Sequence, residues 1–138
     1  MHVFTYGTLM FPEVWQAVVG RPYATVRGQA AGFEIFRVRD ALYPGIVAGS
    51  PSDVVHGVMY LDVDDESLAR LDRFEDDFYL RLPIAVACDD GQRRDAQAYV
   101  VPAEQRDVLT AEPWNGDDFV ARGDLARFTA GFAGFGRL

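Results

Sequence analysis

Two β-prone segments, residues 78–88 and 93–101, meet across Asp89-Asp90-Gly91-Gln92, and this junction limits the possible folds more than any other feature of the chain. An Asp-Gly pair between such runs signals a hairpin, so the two strands should pair antiparallel. Upstream the order is a short strand at 2–6, a glycine turn, a helix at 12–19, and β-formers over 24–38 interrupted by Gly28 and Gly32. A turn at 41–45 precedes the short apolar run 46–48; a strand follows at 54–63 and a helix at 65–74, with Asp64 as its N-cap. After Pro102 the pattern turns helical, with a short piece at 104–108 and a longer one at 117–128, and residues 129–138 dock loosely or fray. Strand and helix do not alternate regularly, which argues against a doubly wound nucleotide-binding fold, and Gly7 alone is no phosphate-binding loop. The expectation is an α+β fold: a mixed sheet curled toward a small barrel, its strands bent at glycines, with helices outside or over one mouth.

A chain of 138 residues suits a single domain, 1–138, around one core. The formal net charge of −8, spread along the chain, argues against a nucleic-acid surface and disfavours polyphosphate partners. No apolar run approaches the ~20 residues that span a bilayer, and the N-terminus enters a strand without a basic region or cleavage site, so a cytoplasmic location and no membrane partner are expected. Cys88 is the one cysteine and reads as a packed strand thiol. His2 and His56 are far apart, without companions at metal spacing, so neither a metal nor a Cys-His or Ser-His-Asp apparatus is expected.

The chemistry must then come from elsewhere. Leu68, Leu71 and Glu75 fall at i, i+3 and i+7 along one stripe of the helix at 65–74, which continues the core-facing side to Glu75. A carboxylate turned inward at a helix C-terminus meets the negative end of the macrodipole and loses water, and both effects favour its protonated form. Such a group can accept and return a proton near neutral pH. Spacing alone slightly favours a terminal glutamate bent out to water beside Asp76 and Asp77, as most glutamates are. Tyr6-Gly7-Thr8-Leu9 lies where the first strand ends; successive N–H groups there can converge on an oxyanion or carboxylate, with Thr8 adding a hydroxyl, unless the stretch is a plain strand-to-helix turn. Tyr43, Tyr79 and Tyr99 offer walls and hydroxyls, Tyr79 being the nearest to Glu75. Arg37, Arg39 and Arg81 read as partners for surface acids, and Trp114 as a loop anchor or lid.

Three stretches together carry a resemblance: Val3-Phe4-Thr5-Tyr6-Gly7-Thr8-Leu9-Met10, Tyr43-Pro44-Gly45-Ile46-Val47, and Leu71-Asp72-Arg73-Phe74-Glu75 with Tyr79 and Arg81 following. In that order they resemble the gamma-glutamylcyclotransferase-like family, nearest to the branch of gamma-glutamylamine cyclotransferases and plant avirulence-induced-gene proteins, whose C-terminal aromatic pattern is echoed by Trp114, Phe119 and Phe128. The resemblance implies a small β-barrel flanked by helices, substrate held by Tyr6, Gly7, Thr8, Leu9 and Tyr79, and Glu75 as general base and acid. It implies cyclisation of a small γ-glutamyl substrate to 5-oxoproline with release of an amine, and no cofactor. Thr8-Leu9 resembles the amide-type branch more than the branch with Ser-Asn there, which argues against activity on glutathione or on free γ-glutamyl amino acids. Transfer or hydrolysis of a γ-glutamyl group, and a non-catalytic binding domain that keeps the barrel, are the alternatives.

Overall fold

The computed structural model describes residues 1–130. Its hairpin is formed by β6 (Leu80–Cys88) and β7 (Arg93–Val100), in register from Leu80 opposite Val100 to Ala87 opposite Arg93. Gly91 takes φ of 87°, the left-handed turn position that the Asp-Gly pair anticipates. Around the hairpin run β1 (Val3–Thr5), β2 (Thr25–Ala31) and β5 (Val54–Tyr60). The order β1-β5-β2-β6-β7 closes on itself, because β7 also pairs parallel with β1 at Gln97 and Val3. The result is a five-stranded mixed barrel. β4 (Pro44–Ala48) joins β7 in parallel at Val100, β3 (Phe33–Val38) pairs with β4, and β8 (Leu109–Pro113) with β3. This is the α+β barrel that the segment order suggests.

Gly28 and Gly57 lie opposite each other on β2 and β5, where the wall must approach its own contents. A Cβ at Gly57 would stand 2.1 Å from the Thr5 carbonyl oxygen and 2.7 Å from the Phe4 ring. Phe4, Met59, Val86 and Ala98 fill the interior. A second apolar cluster joins the barrel to α1 (Pro12–Val19) and α2 (Asp65–Phe74) through Val14, Trp15, Leu68 and Leu71. The Trp15 ring stacks on Tyr60, centroids 3.6 Å apart, and its indole N–H donates to the Arg21 carbonyl at 2.9 Å. Asp64 caps α2 as expected, accepting from the Ser67 amide at 2.7 Å.

Several boundaries differ from the sequence reading. The strand at 54–63 stops at Tyr60, and Asp62 takes φ of 55° two residues later. The piece at 104–108 is a 3-10 helix, Ala103–Val108, and it leads into β8, which the sequence reading lacks. Leu109 to Pro113 has little β-propensity of its own and becomes a strand through its partner β3. The expected helix at 117–128 is two, α3 (Gly116–Ala121) and α4 (Asp124–Ala130), because Gly123 turns left-handed with φ of 74°. Helix α4 includes Thr129 and Ala130, expected to be loose; 131–138, and the Phe128 side chain, lie outside the described residues. Cys88 is buried in β6 and His56 is exposed on β5. Among the described residues no helix is long and apolar enough to cross a membrane.

Candidate active site

β7 has two neighbours along one edge. The Gln97 amide donates to the His2 carbonyl at 2.8 Å, and four residues later the Val101 amide donates to the Ile46 carbonyl, also at 2.8 Å. Between these points β1 leaves the sheet and β4 enters it. The departing chain is Tyr6-Gly7-Thr8-Leu9, and the gap beside it is a cavity of about 230 Å³. Thus the exchange of strands, rather than a long loop, makes the hollow.

The loop is tightly fitted. A Cβ on Gly7 would lie 2.8 Å from Pro44 Cγ and 2.9 Å from its Cδ, so glycine is needed there for close approach of β4 rather than for an unusual φ. A 3-10 turn, Thr8–Met10, follows, closed by bonds from the Met10 amide to the Gly7 carbonyl at 3.0 Å and from the Phe11 amide to the Thr8 carbonyl at 3.1 Å. The amide N–H groups of Gly7, Thr8 and Leu9 find no acceptor among the described residues. They are unmatched donors on three residues that line the cavity.

Glu75 reaches the same cavity from α2. Its amide makes the last helical bond, to the Leu71 carbonyl at 3.1 Å, and its own backbone is extended, with ψ of 146°. The glutamate therefore caps the helix instead of continuing its stripe, although Leu68 and Leu71 before it are buried as the spacing requires. The residue is half-buried, and no described residue donates to its carboxylate. Among the described residues every fully buried side-chain oxygen or nitrogen has a partner, so the unpartnered Glu75 carboxylate and Thr8 hydroxyl are not fully enclosed, and both residues line the cavity. Burial first, then the charges of Asp76 and Asp72, push the Glu75 carboxyl up to about 8.

Four tyrosines complete the wall, each with its proton committed. Tyr6 donates to the Tyr99 carbonyl at 2.6 Å and Tyr79 to the Pro44 carbonyl at 2.6 Å. Tyr99 donates to Asp72 at 2.7 Å, and Tyr43 to Asp76. Burial raises all four phenols above their ordinary range, and nearby carboxylate charge adds to it, so they stay neutral. Of the thirteen lining residues none is Arg, Lys or His, while two are acids, Glu75 and Asp76. Removing the Tyr79 hydroxyl with Tyr79→Phe would leave the Pro44 carbonyl without its donor in a buried place. The expected loss of stability is about 1–3 kcal/mol, read as a lower urea midpoint at unchanged m-value.

The structure thus brings Tyr6, Gly7, Thr8, Leu9, Glu75 and Tyr79 to one cavity. Tyr43 and Tyr99 stand there too, as aromatic walls. The sequence reading missed Asp76 as a lining acid and Asp72 as the acceptor for Tyr99; in a run of acids near a helix end no sequence signal separates them. Arg37 and Arg39 lie away from the cavity and donate to the carbonyls of Ala41, at 2.6 Å, and Asp107, at 3.4 Å. Trp114 is an anchor: its indole donates to the Leu42 carbonyl at 2.9 Å and its ring tilts against Phe119.

Known proteins share this arrangement of strands. A solution structure from Arabidopsis thaliana matches with a TM-score of 0.70 and 27% identity over 95% of this chain and 87% of that one. A gamma-glutamyl cyclotransferase shares the fold at a TM-score of 0.58 and 18% identity, over 72% of this chain and 65% of that one. In sequence, AIG2-like protein A of Arabidopsis thaliana is 27% identical over 118 residues, 86% of this chain and 71% of that protein. The family model described as "Gamma-glutamyl cyclotransferase, AIG2-like" matches residues 3–116, taking in β1, the glycine loop and the end of α2, and the chain belongs to this family.

Proposed function

We propose that the chain converts a small γ-glutamyl amide to 5-oxoproline and a free amine, with Glu75 moving the protons. One observation carries this reading: a carboxyl pushed up to about 8 lines the same 230 Å³ cavity as three residues whose backbone N–H groups are unmatched. In the reaction the substrate α-nitrogen attacks its own γ-carbonyl carbon, a C–N bond forms, and the original amide C–N bond breaks. Glu75 takes protons from the attacking nitrogen and gives them to the leaving nitrogen, ending as it began. The nucleophile belongs to the substrate, so the protein's task is to hold it folded for attack. The Gly7 to Leu9 amides suit either the developing oxyanion or the α-carboxylate. Tyr6 and Tyr79, whose protons go to backbone carbonyls, act as walls and present lone pairs, not acids, to the substrate.

A binding domain that merely kept the barrel would have the cavity filled by aromatic side chains or Glu75 in open solvent. Here the cavity is open and Glu75 lines it, which supports chemistry. The lining has acids and no bases, which favours a leaving amine over one carrying a carboxylate, as glutathione's does. A panel of γ-glutamyl amines and γ-glutamyl peptides tests the reading. The expected products are 5-oxoproline and amine in equal amounts; glutamate in place of 5-oxoproline would show hydrolysis instead.

A further inference from the structure

Three residues before Glu75, one carboxylate collects three donors from two strands. Asp72 accepts from Arg81 Nε at 2.9 Å, from Arg81 Nη2 at 3.3 Å and from the Tyr99 hydroxyl at 2.7 Å. Arg81 also donates to Gln97 Oε1 at 3.0 Å, so the end of α2 is tied to β6 and β7 at once. The backbone carbonyl of Tyr99 accepts the Tyr6 hydroxyl at 2.6 Å. Both sides of the cavity, the glycine loop and the glutamate, are therefore referenced to one residue of β7. With Asp72 at 42% and Arg81 at 30% side-chain exposure, such an ion pair adds little to stability, so holding α2 together is a poor explanation of so many contacts.

Resting on the cyclotransferase reading, we propose that Asp72 is a positioning residue for Glu75: gripped by Arg81 and Tyr99, it fixes the end of α2 at the cavity that the Tyr6 to Leu9 loop lines, and it sets there a charge, partly cancelled by Arg81, that acts on the Glu75 carboxylate. The groups that face Glu75 are Asp72 and Asp76 from α2 and its exit, Tyr6 after β1, Tyr43 before β4, Tyr79 before β6 and Tyr99 on β7. The tyrosines are neutral; Asp76 pushes harder on Glu75 than Asp72 does, but of the two only Asp72 is paired with a cation among the described residues, so it is the charge that a second side chain can tune. The Asp72 charge is one of the two that act on the Glu75 carboxyl. Removing the Asp72 charge eases ionisation of Glu75, and removing Arg81 unmasks that charge and hinders it.

The test is an NMR titration of the Glu75 carboxyl in the full chain, with the acid limb of kcat/KM as a second reading. Asp72→Asn should move the midpoint down by about half to one pH unit and Arg81→Met up by a similar amount, with the double variant returning close to the parent. Two midpoints that stay within about 0.2 unit of the parent, or move in the same direction, overturn the proposal, since a purely structural bridge would lower activity without opposite shifts. If Arg81→Met folds poorly, Arg81→Gln has the same expected sign. Absence of 5-oxoproline with the parent protein would defeat the cyclotransferase reading alone, because the titration does not need turnover.

Discussion

Glu75→Gln is expected to lower 5-oxoproline formation by about a hundredfold or more and, at the same time, to give a protein more stable at alkaline pH. The first effect follows from removing the proton carrier while keeping the shape of the side chain. The second follows from linkage. The Glu75 carboxyl titrates at about 8 in the folded chain against an ordinary 4.5, so between these values the folded state keeps a proton that the unfolded chain has released. Stability therefore falls as pH rises through that window. Glutamine carries no such cost. Allowing for water in the open cavity, the gain above pH 8 is about 2–4 kcal/mol, and it vanishes near pH 4. Urea denaturation at both pH values reads it; a variant less stable than the parent at pH 9 would show that the carboxyl is not desolvated. Loss of activity joined to a gain in stability is the mark of a group kept for function. For the same reason, kcat/KM of the parent should rise toward an acid-limb midpoint near 8, the value of the free protein.

The largest effect on stability is expected from Gly57→Ala. The added carbon would stand 2.1 Å from the Thr5 carbonyl oxygen and within 3 Å of two atoms of the Phe4 ring. Neither neighbour yields cheaply, since one is backbone of β1 and the other is 1% exposed in the barrel interior. Separation of β1 from β5 relieves the clash at the cost of the barrel, about 3 kcal/mol or more. Gly91→Ala is the useful contrast: nothing stands within 4 Å of the new carbon, and only the φ of 87° resists it. Its expected cost is about 1 kcal/mol. Equal urea midpoints for the two variants would remove the packing argument.

Much of the architecture was legible because the relevant forces are local. The Asp-Gly turn, the Asp64 cap and the apolar stripe ending at Leu71 act within a few residues, and the elements around them appear where expected. What was not legible depends on distant partners. β8 exists because β3 lies alongside it, and the exchange of β1 for β4 on β7 joins segments that no periodicity relates. Glu75 shows both kinds of reason. Helix spacing left its direction open; the residue is delivered by an extended cap, and the wall around it comes from Tyr79 nearby and from Tyr6, Tyr43 and Tyr99 far away in the chain. The requirement for glycine at position 7 was visible as a motif, but its cause, the Pro44 ring, was not.

The parallel seam between β1 and β7 has a further consequence for how the molecule comes into being. The Tyr6 to Tyr99 bond joins residues 93 positions apart, and the Tyr79 to Pro44 bond spans 35. Contacts of such long range form only after the entropy of closing large loops has been met, so they slow folding and arrive late. The β6–β7 hairpin can assemble from neighbours in the chain; the cavity cannot. A chain that has formed only its local hairpins, β6–β7 and β3–β4, therefore has strands and no cavity, which makes ligand binding a stricter measure of complete folding than secondary structure.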